Sequence, residues 1–390
     1  MHAQLAKIPA IKGRFLACTI DSLARSLVCR WRTLAREIEP DLDLAPSPGF
    51  ATICRAAALL IQKRCVSSWL KARYPVVVVD ELQDCRGDHL CIVQVLSSCC
   101  HVIAAADGFQ DLNSTGENPA VEWLRASGGK QTILTGNRRT RDQVLLKAAE
   151  CLRSSQDCGD ILGRCLSPAL NANVAAGAVA RTLFFKKPRN AVILTPAGPA
   201  KNKWVSAVLE RLSSKPIMPR GVPSEIGPFL LNWEANVEEE KTELKTKLGD
   251  MSGGINLRDI EIRCSDNSGA LQDLYRWATR KFHVRGQTEF SESELGAALE
   301  RISQSRRSFL PTASFGRTRA MTVHQAKNRE FEAVIVLWPF AVGGDLDSQR
   351  RRLYNALTRA QKWAAVIVQE SPDPNESRLA KSPFSKTPNS

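Results

Sequence analysis

The sequence lacks the patterns of membrane-spanning and exported proteins. No run of about eighteen apolar residues occurs, so we expect no transmembrane helix. The opening residues, MHAQLAKIPAIKGRF, contain neither a long apolar core nor a small-residue cleavage site, and they do not resemble a secretory signal. These absences predict a cytoplasmic protein.

Zinc-binding cysteine spacings are also missing. The chain has 12 cysteines but no CxxC pair. Cys99 and Cys100 are adjacent, and Cys151, Cys158 and Cys165 recur every seven residues. Neither pattern is typical of a zinc site. We therefore expect reduced, semi-buried thiols rather than metal ligands or disulfides.

A third absence concerns phosphate binding. The pattern GxxxxGK[ST], whose backbone amides and lysine cradle nucleotide phosphates, occurs nowhere in the chain. The glycine pairs at 128–129, 253–254 and 343–344 lack a following Lys-Ser or Lys-Thr at the required distance. A nucleotide site built from these residues alone would lack this loop, so we expect little ATP turnover from them.

The overall composition is that of a soluble globular protein. The chain has 390 residues, of which 43% are hydrophobic and 24% charged, and this length suits two or three domains. Its net charge of +14 favours a polyanionic partner through long-range attraction, although a merely soluble basic protein would have the same charge.

The apolar segments predict an α/β fold with parallel sheets. Their length and composition are those of short buried strands, and helical patterns separate them. The predicted strands are Val76–Val79, His101–Ala105, Ala191–Leu194, Ala333–Leu337 and Ala364–Val368, with a further short strand just before LTGNRRT.

The same patterns predict two α/β units and a helical block. We assign residues 1–136 to a first unit, with a short helical insertion near 33–73, and residues 137–215 with 316–370 to a second. Residues 216–315 begin with a Pro- and Gly-rich stretch and continue as helices, either as an insertion or as a separate domain. The Pro-, Ser- and Lys-rich residues 371–390 predict a disordered tail.

Acidic residues stand directly after the first strand, in YPVVVVDELQDC. Ligands of open parallel sheets bind at the carboxyl ends of the strands. Asp80 is therefore placed to hold a magnesium ion, and Glu81 to polarise a water molecule for attack on a phosphoryl group. The alternative is that Asp80 to Asp84 only cap the next helix.

Five further motifs accompany VVVVDELQD: ACTIDSLARSLV, IAAADGFQ, LTGNRRT, MTVHQAKNREFEAVIVL and RRRLYNALTRAQ. Together, from about Ala17 to Val368, they resemble the UvrD/Rep family of superfamily-one DNA helicases. The resemblance implies two RecA-like lobes with helical insertions that bind ATP and Mg²⁺ in the cleft between them. It also implies single-stranded or partially duplex DNA as the partner.

The resemblance implies a role for each matching residue. The nucleotide set is Asp80 as the Mg²⁺ ligand, Glu81 as the activator of water, Gln110 as the sensor of the terminal phosphate, Arg139 as a phosphate contact, Glu330 as a nucleotide contact and Arg359 as the arginine finger. Of these, Glu81, Gln110, Arg139 and Arg359 would be catalytic. The DNA set is Thr19, Ser22, Thr322, His324 and Lys327.

Several residues depart from the family's motifs. Asp21 replaces a histidine, Arg138 replaces a tyrosine and Asn113 stands where an aromatic residue commonly stacks on a base. Asn328 replaces a glycine; asparagine tolerates a left-handed backbone, so the turn is expected to survive. We interpret these changes as those of a divergent subfamily.

The chain start resembles the family's TNxAAxEM segment, with Met1 in place of its methionine. We therefore expect a preceding segment to carry the first strand and the phosphate loop, so that the first lobe here is truncated at its N-terminus. A mis-called start codon, a gene fragment or a split gene would each explain this.

Three functions are compatible with the sequence. The first is a 3′-to-5′ DNA helicase or translocase driven by ATP, acting for example in DNA repair. The second is a non-hydrolysing remnant that binds DNA or a protein partner. The third, a P-loop ATPase without nucleic acid, is disfavoured by Thr322, His324 and the net charge.

Overall fold

The computed structural model describes residues 15–40, 50–112, 116–134, 139–154, 165–198, 201–234, 237–249, 254–265, 270–309, 317–373, 376–379 and 383–384. The chain divides into two compact units. Unit 1 comprises Met1–Asp111 and Gly116–Gln131, and unit 2 comprises Leu112–Thr115 and Thr132–Ser390. Both contain helices and parallel strands, which confirms the predicted α/β class.

Unit 1 is a helical layer that packs on a small parallel sheet. Its helices are α1 (Ile20–Arg30), α2 (Arg32–Ile38), α3 (Phe50–Ile61), α4 (Arg64–Arg73), α5 (Asp88–Cys99) and α6 (Pro119–Ala126). Its strands are β1 (Val76–Val79) and β2 (His101–Ala104), which pair in parallel with Val76 opposite His101. Short 3₁₀ turns, Leu82–Asp84 and Gly108–Gln110, follow the two strands.

Helices α1, α3 and α5 share one hydrophobic core. Ala24 on α1, Ala57 on α3 and Ile92 on α5 are all fully buried in it. The sequence of α3, FATICRAAALLI, supplies small side chains that let neighbouring helices approach closely. This close packing fixes the three helices relative to one another.

One face of the two-stranded sheet is open. Val76, Val78 and Ile103 point to this face and are 52%, 58% and 51% exposed.

The strand predicted just before LTGNRRT is wrong, since Ile133 and Leu134 lie outside any strand and are each 86% exposed. Among the described residues no strand pairs with Ile133 or Leu134, and their apolar side chains are left open to solvent.

Unit 2 contains a larger sheet and the remaining helices. The helices are α7 (Gln143–Arg153), α8 (Ala172–Lys186), α9 (Lys203–Ser214), α10 (Val237–Leu248), α11 (Leu257–Cys264), α12 (Ala270–Arg285), α13 (Glu292–Phe309) and α14 (Leu346–Leu357). The strands are β3 (Leu166–Ala169), β4 (Ala191–Thr195), β5 (Leu230–Trp233), β6 (Ile255–Asn256), β7 (Glu289–Phe290), β8 (Arg317–Thr322), β9 (Phe331–Trp338) and β10 (Ala360–Gln369).

Six of these strands form one parallel sheet in the order β3-β10-β9-β4-β8-β5. Helices cover both of its faces. On one face Val334 and Val336 pack with Leu145 of α7 and Leu353 of α14. The opposite face packs against α8 and α9. Because both faces of β9 are buried, its sequence FEAVIVLW is almost continuously apolar.

The helical block begins later than predicted. Residues 216–315 were assigned to it as a whole, but β5 lies within that range and pairs with β8 at the edge of the large sheet. The strand was missed because LLNW is short and follows a Pro- and Gly-rich loop. Helices α10 to α13 and the β6–β7 ribbon then form a core of their own around Leu274 and Leu299.

The prediction of disorder for residues 371–390 is wrong for two of its described residues. Arg378 is 5% exposed and Phe384 only 1%. The Phe384 ring meets the Trp338 ring edge-on at 5.8 Å, and the Glu370 carboxylate accepts a hydrogen bond of 2.7 Å from the Arg378 amide. Because the segment is rich in polar residues, its composition does not indicate that Arg378 and Phe384 are buried.

Two further features follow from the described residues. Their cysteines are all free thiols. No helix among them is long and apolar enough to cross a membrane.

Candidate functional site

The first candidate site lies where β1 ends. Asp80 is exposed there, and its carboxylate accepts a hydrogen bond of 3.0 Å from the Glu81 amide. Glu81 has a left-handed backbone, with φ of +54°. This conformation is costly for a residue with a side chain, and such strain is concentrated at functional sites. The predicted magnesium ligand and the predicted activator of water are therefore adjacent in a constrained turn.

Gln83 connects this turn to the end of β2. Its side chain is fully buried. The side-chain nitrogen donates to the Glu81 carboxylate, and the side-chain oxygen accepts a 2.9 Å hydrogen bond from the Asp107 amide. One amide group thus holds the loop after β1 and the loop after β2 together.

Asp107 organises the second loop. Its carboxylate accepts hydrogen bonds of 3.1 Å from the Phe109 amide and from the Gln110 side chain. Asp80, Glu81, Asp107 and Gln110 are thereby collected at the carboxyl edge of one sheet. The role of Asp107 was not predicted, although an aspartate two residues before a turn amide is a common capping signal.

A buried carboxylate, paired with a partly exposed arginine, supports the base of this site. Asp111 is 1% exposed and accepts 2.6 Å hydrogen bonds from Arg86 and from Asn118. Asn118 also donates to the Gln83 backbone carbonyl at 2.8 Å and caps α6. A buried carboxylate is tolerated only when it is paired in this way, so the network holds Gln83 in place.

The donor atoms at the β1 edge fit a magnesium ion. Magnesium prefers carboxylate and water oxygens and commonly uses one or two carboxylates. The exposed carboxylate of Asp80 meets this requirement. The carboxylate of Glu81, by contrast, already accepts a hydrogen bond from Gln83.

The predicted DNA contacts of unit 1 lie at the start of α1. The Thr19 hydroxyl caps this helix and accepts a 3.1 Å hydrogen bond from the Ser22 amide. Both side chains are exposed. The structure therefore brings Thr19 and Ser22 together on an accessible helix terminus.

The second candidate site belongs to unit 2. The Arg139 guanidinium donates to the Glu330 carboxylate at 2.8 Å and to the Thr358 carbonyl at 2.8 Å. Gln361 donates to the other Glu330 oxygen at 3.0 Å. Arg139 and Glu330, which were predicted separately, form one ion pair. Gln361 was missed, because nothing in its local sequence distinguishes it.

Arg359 lies beside this pair and is buried. Its side chain is 1% exposed and donates a 3.2 Å hydrogen bond to the Asn355 carbonyl at the end of α14. Asn355 in turn donates to the Arg351 carbonyl at 2.8 Å. The helix end therefore fixes the position of the predicted arginine finger.

The arginines change the ionisation of Glu330. Partial burial alone would raise the pKa of this carboxyl group. Hydrogen bonds from Gln361 and Arg139, together with the positive charges of Arg139 and Arg359, outweigh burial and hold the pKa below its ordinary value of 4.5.

Unfolding in acid should reveal this shift. A lowered folded-state pKa contributes stability above about pH 4.5 that is lost as the pH falls through the folded-state value. We expect the urea midpoint of unit 2 to fall more steeply between about pH 6 and 3 in the wild type than in Glu330→Gln. Gln361→Leu, which removes one donor, should have an intermediate slope. Identical slopes in all three proteins would contradict the assignment.

The loop from Thr322 to Glu330 carries the other predicted DNA contacts. Thr322 is 8% exposed, and Gln325 accepts hydrogen bonds of 2.7 Å from its amide and 2.9 Å from its hydroxyl. His324 is exposed and Lys327 half-buried on the following turn. The Thr322 hydroxyl thus shapes the loop, while His324 and Lys327 lie nearer its surface.

An ion pair fastens this loop to Glu234, the residue that follows β5. Both terminal nitrogens of Arg329 donate to the Glu234 carboxylate, at 2.7 and 2.8 Å. Gln325 donates to the Glu234 carbonyl at 2.6 Å. This two-pronged geometry is the strong form of an arginine–carboxylate pair, so the loop is held rigidly.

Asn328 has the left-handed backbone predicted for it, with φ of +62°. We expect Asn328→Ala to destabilise unit 2 by about 1 kcal/mol, because alanine is strained in this conformation. The matched control, Asn328→Gly, removes the strain and should be at least as stable as the wild type. Urea unfolding measures both. Equal stability of the alanine and glycine variants would show that the turn does not require this conformation.

Two of the substituted motif positions, Asn113 and Arg138, lie outside the described residues.

A family model of the UvrD-like helicase C-terminal domain matches residues 318–367. No curated protein matches the chain. The matched segment runs from β8 through β9 and α14 into β10, and it includes Thr322, His324, Lys327, Glu330 and Arg359. Unit 2 therefore carries a UvrD-like helicase C-terminal domain, which supports a helicase-type function.

Proposed function

We propose that the protein is an ATP-dependent DNA helicase or translocase of the UvrD/Rep type. It moves 3′-to-5′ along single-stranded DNA and couples ATP hydrolysis to strand separation. The observation that carries the proposal is the helicase-domain match at residues 318–367, whose Glu330 is paired with Arg139 and lies beside Arg359.

In unit 2 the two arginines would act on the phosphates of ATP. Arg139 is neutralised by Glu330 at 2.8 Å, and a phosphate group, with its greater negative charge, is the stronger partner for a guanidinium. Arg359 would stabilise the charge that develops on the transferred phosphoryl group. Glu330, released from Arg139, would contact the nucleotide.

In unit 1 the strand-tip residues would act on the attacking water. Glu81 would take up its proton, and the buried Gln83 amide orients the carboxylate for that transfer. Gln110 would detect the terminal phosphate, since it is held by Asp107 at the same sheet edge. Asp80 would hold Mg²⁺, whose charge neutralises the phosphate oxygens.

Contacts to DNA would come from both units. The exposed hydroxyls of Thr19 and Ser22, and the exposed His324 with Lys327 near it, can meet phosphate oxygens. The net charge of +14 adds attraction that does not depend on base sequence. Binding should therefore weaken strongly as salt rises.

A second function is a non-hydrolysing module that binds DNA or a protein partner. Two observations favour it. The sequence contains no GxxxxGK[ST] loop, and the β1–β2 sheet exposes Val76, Val78 and Ile103 on one face. An exposed apolar patch of this kind is typical of surfaces that meet another polypeptide.

Measurements of ATP turnover and DNA binding separate the two functions. Turnover is measured with and without single-stranded DNA and with Mg²⁺ or EDTA, for this chain and for a form extended by any in-frame codons that precede Met1. Turnover stimulated by DNA and abolished by EDTA supports the helicase. DNA binding without turnover in either form supports the non-hydrolysing module. Turnover without any DNA binding would contradict both.

A further inference from the structure

Three side chains with metal-binding atoms meet in the helical layer of unit 1. They are Asp21 on α1, Cys54 on α3 and His89 on α5, and their ligand atoms all lie within 4.8 Å of one another. Cys54 and His89 follow Asp21 by 33 and 68 positions along the chain, so no short sequence motif contains the three residues. Their chemistry differs from that of the oxygen-only edge at β1.

The separations are close to those of a zinc site. With zinc bonds of about 2.0 Å to nitrogen and oxygen and about 2.3 Å to sulfur, tetrahedral ligand atoms lie roughly 3.3–3.7 Å apart. The Cys54 sulfur is 3.5 Å from the Asp21 oxygen. The His89 Nε2 is 2.8 Å from that same oxygen, so an ion requires only a small opening of this pair.

The setting also favours an ion. Cys54 is 1% exposed at the inner end of the cluster, whereas the Asp21 and His89 side chains are 34% and 38% exposed. An ion can therefore enter from solvent and keep a water molecule as its fourth ligand, as in zinc sites with three protein ligands. The buried core that α1, α3 and α5 share holds the three ligands in place.

We propose that Asp21, Cys54 and His89 form a binding site for a single zinc ion that cross-links helices α1, α3 and α5. The mixture of sulfur, nitrogen and oxygen ligands suits zinc better than magnesium or calcium. Without metal, the Cys54 thiol donates its hydrogen to Asp21. Binding replaces that hydrogen by the ion and releases it to solvent as a proton, because a metal-bound thiol is deprotonated. His89 binds through Nε2 as the neutral tautomer that carries its hydrogen on Nδ1. The site does not depend on the proposed function.

Cobalt is the probe for this site, because Co²⁺ accepts the same ligands and has visible spectra. The full chain is stripped with a chelator, kept reduced and titrated with Co²⁺. We expect one equivalent to produce tetrahedral visible bands and a thiolate-to-cobalt charge-transfer band. Added Zn²⁺ should bleach both. Zn²⁺ alone should raise the thermal unfolding midpoint of the stripped protein.

Substitutions locate the site. Cys54→Ser should abolish the charge-transfer band, and Asp21→Asn and His89→Gln should each weaken Co²⁺ binding at least about tenfold. The matched controls in the same unit, Cys91→Ser and His101→Gln, should leave the spectra unchanged. Circular dichroism verifies that each variant is folded, and the partly exposed Asp21 and His89 carry the test if Cys54→Ser does not fold.

Two results would overturn the proposal. One is a folded wild-type protein that gives no charge-transfer band, in which case the three residues form only a hydrogen-bonded cluster. The other is a band that survives in Cys54→Ser or disappears in Cys91→Ser, which would place the ion at a different cysteine.

Discussion

Replacing Glu81 with glutamine is expected to lower DNA-stimulated ATP turnover at least about 100-fold, in whichever form of the protein hydrolyses ATP. Glutamine has nearly the same size and can still accept the hydrogen bond from Gln83, but it cannot take a proton from water. DNA affinity should stay within a factor of about two, since the predicted DNA contacts lie elsewhere.

The control for this variant is Glu37→Gln, which makes the same chemical change at an exposed position on α2. It should hydrolyse ATP at the wild-type rate. If Glu81→Gln keeps turnover within a few-fold of the wild type, Glu81 does not activate water. If instead Glu81→Gln loses DNA binding together with turnover, the substitution has damaged the fold. The expected cause is then a disruption of the hydrogen bonds that Gln83 makes to residue 81 and to Asp107.

Removing the Arg359 guanidinium should be at least as severe. We expect Arg359→Ala to reduce turnover about 1,000-fold, the magnitude typical of an arginine that stabilises a transferred phosphoryl group. Nucleotide affinity should change much less, because the interaction is strongest in the transition state. The expected signature is therefore a lower kcat with a nearly unchanged KM.

Because Arg359 is 1% exposed, its stability effect must be separated from its catalytic effect. Arg359→Lys keeps a positive charge at the site but lacks the planar guanidinium, and it should also be strongly impaired. Arg220→Ala, in an exposed loop, is the matched control and should be active. Urea unfolding of all three variants shows whether the large sheet remains intact. A folded Arg359→Ala protein with near-normal kcat would contradict the role.

The sequence predicts best those strands whose residues form an uninterrupted apolar run. Val76–Val79 has the observed bounds, and Ala333–Leu337 lies inside β9. Strands β3 and β8 were missed because LSPA and RTRAMT are interrupted by proline or by polar residues. Their positions depend on pairing with β10 and with β4, which local composition does not encode.

The candidate sites also include residues that local sequence predicts together and residues that only the fold brings together. The convergence of Asp80, Glu81 and Gln110 follows from the rule that parallel strands end at one edge. The pairing of Arg139 with Glu330 joins residues 191 positions apart, and no local pattern contains it. The cysteine spacings likewise carry no signal that the fold brings Cys54 close to Asp21 and His89.

Gln83 has a consequence for any molecule that binds at the strand tips of unit 1. The Gln83 side chain is hydrogen-bonded both to Glu81 in the loop after β1 and to Asp107 in the loop after β2. A shift of either loop therefore strains the hydrogen bond to the other. A molecule that draws Glu81 away must also perturb Asp107, and the coupling is reciprocal by thermodynamic necessity. A fluorescent or nuclear reporter attached to either loop would therefore register events at both.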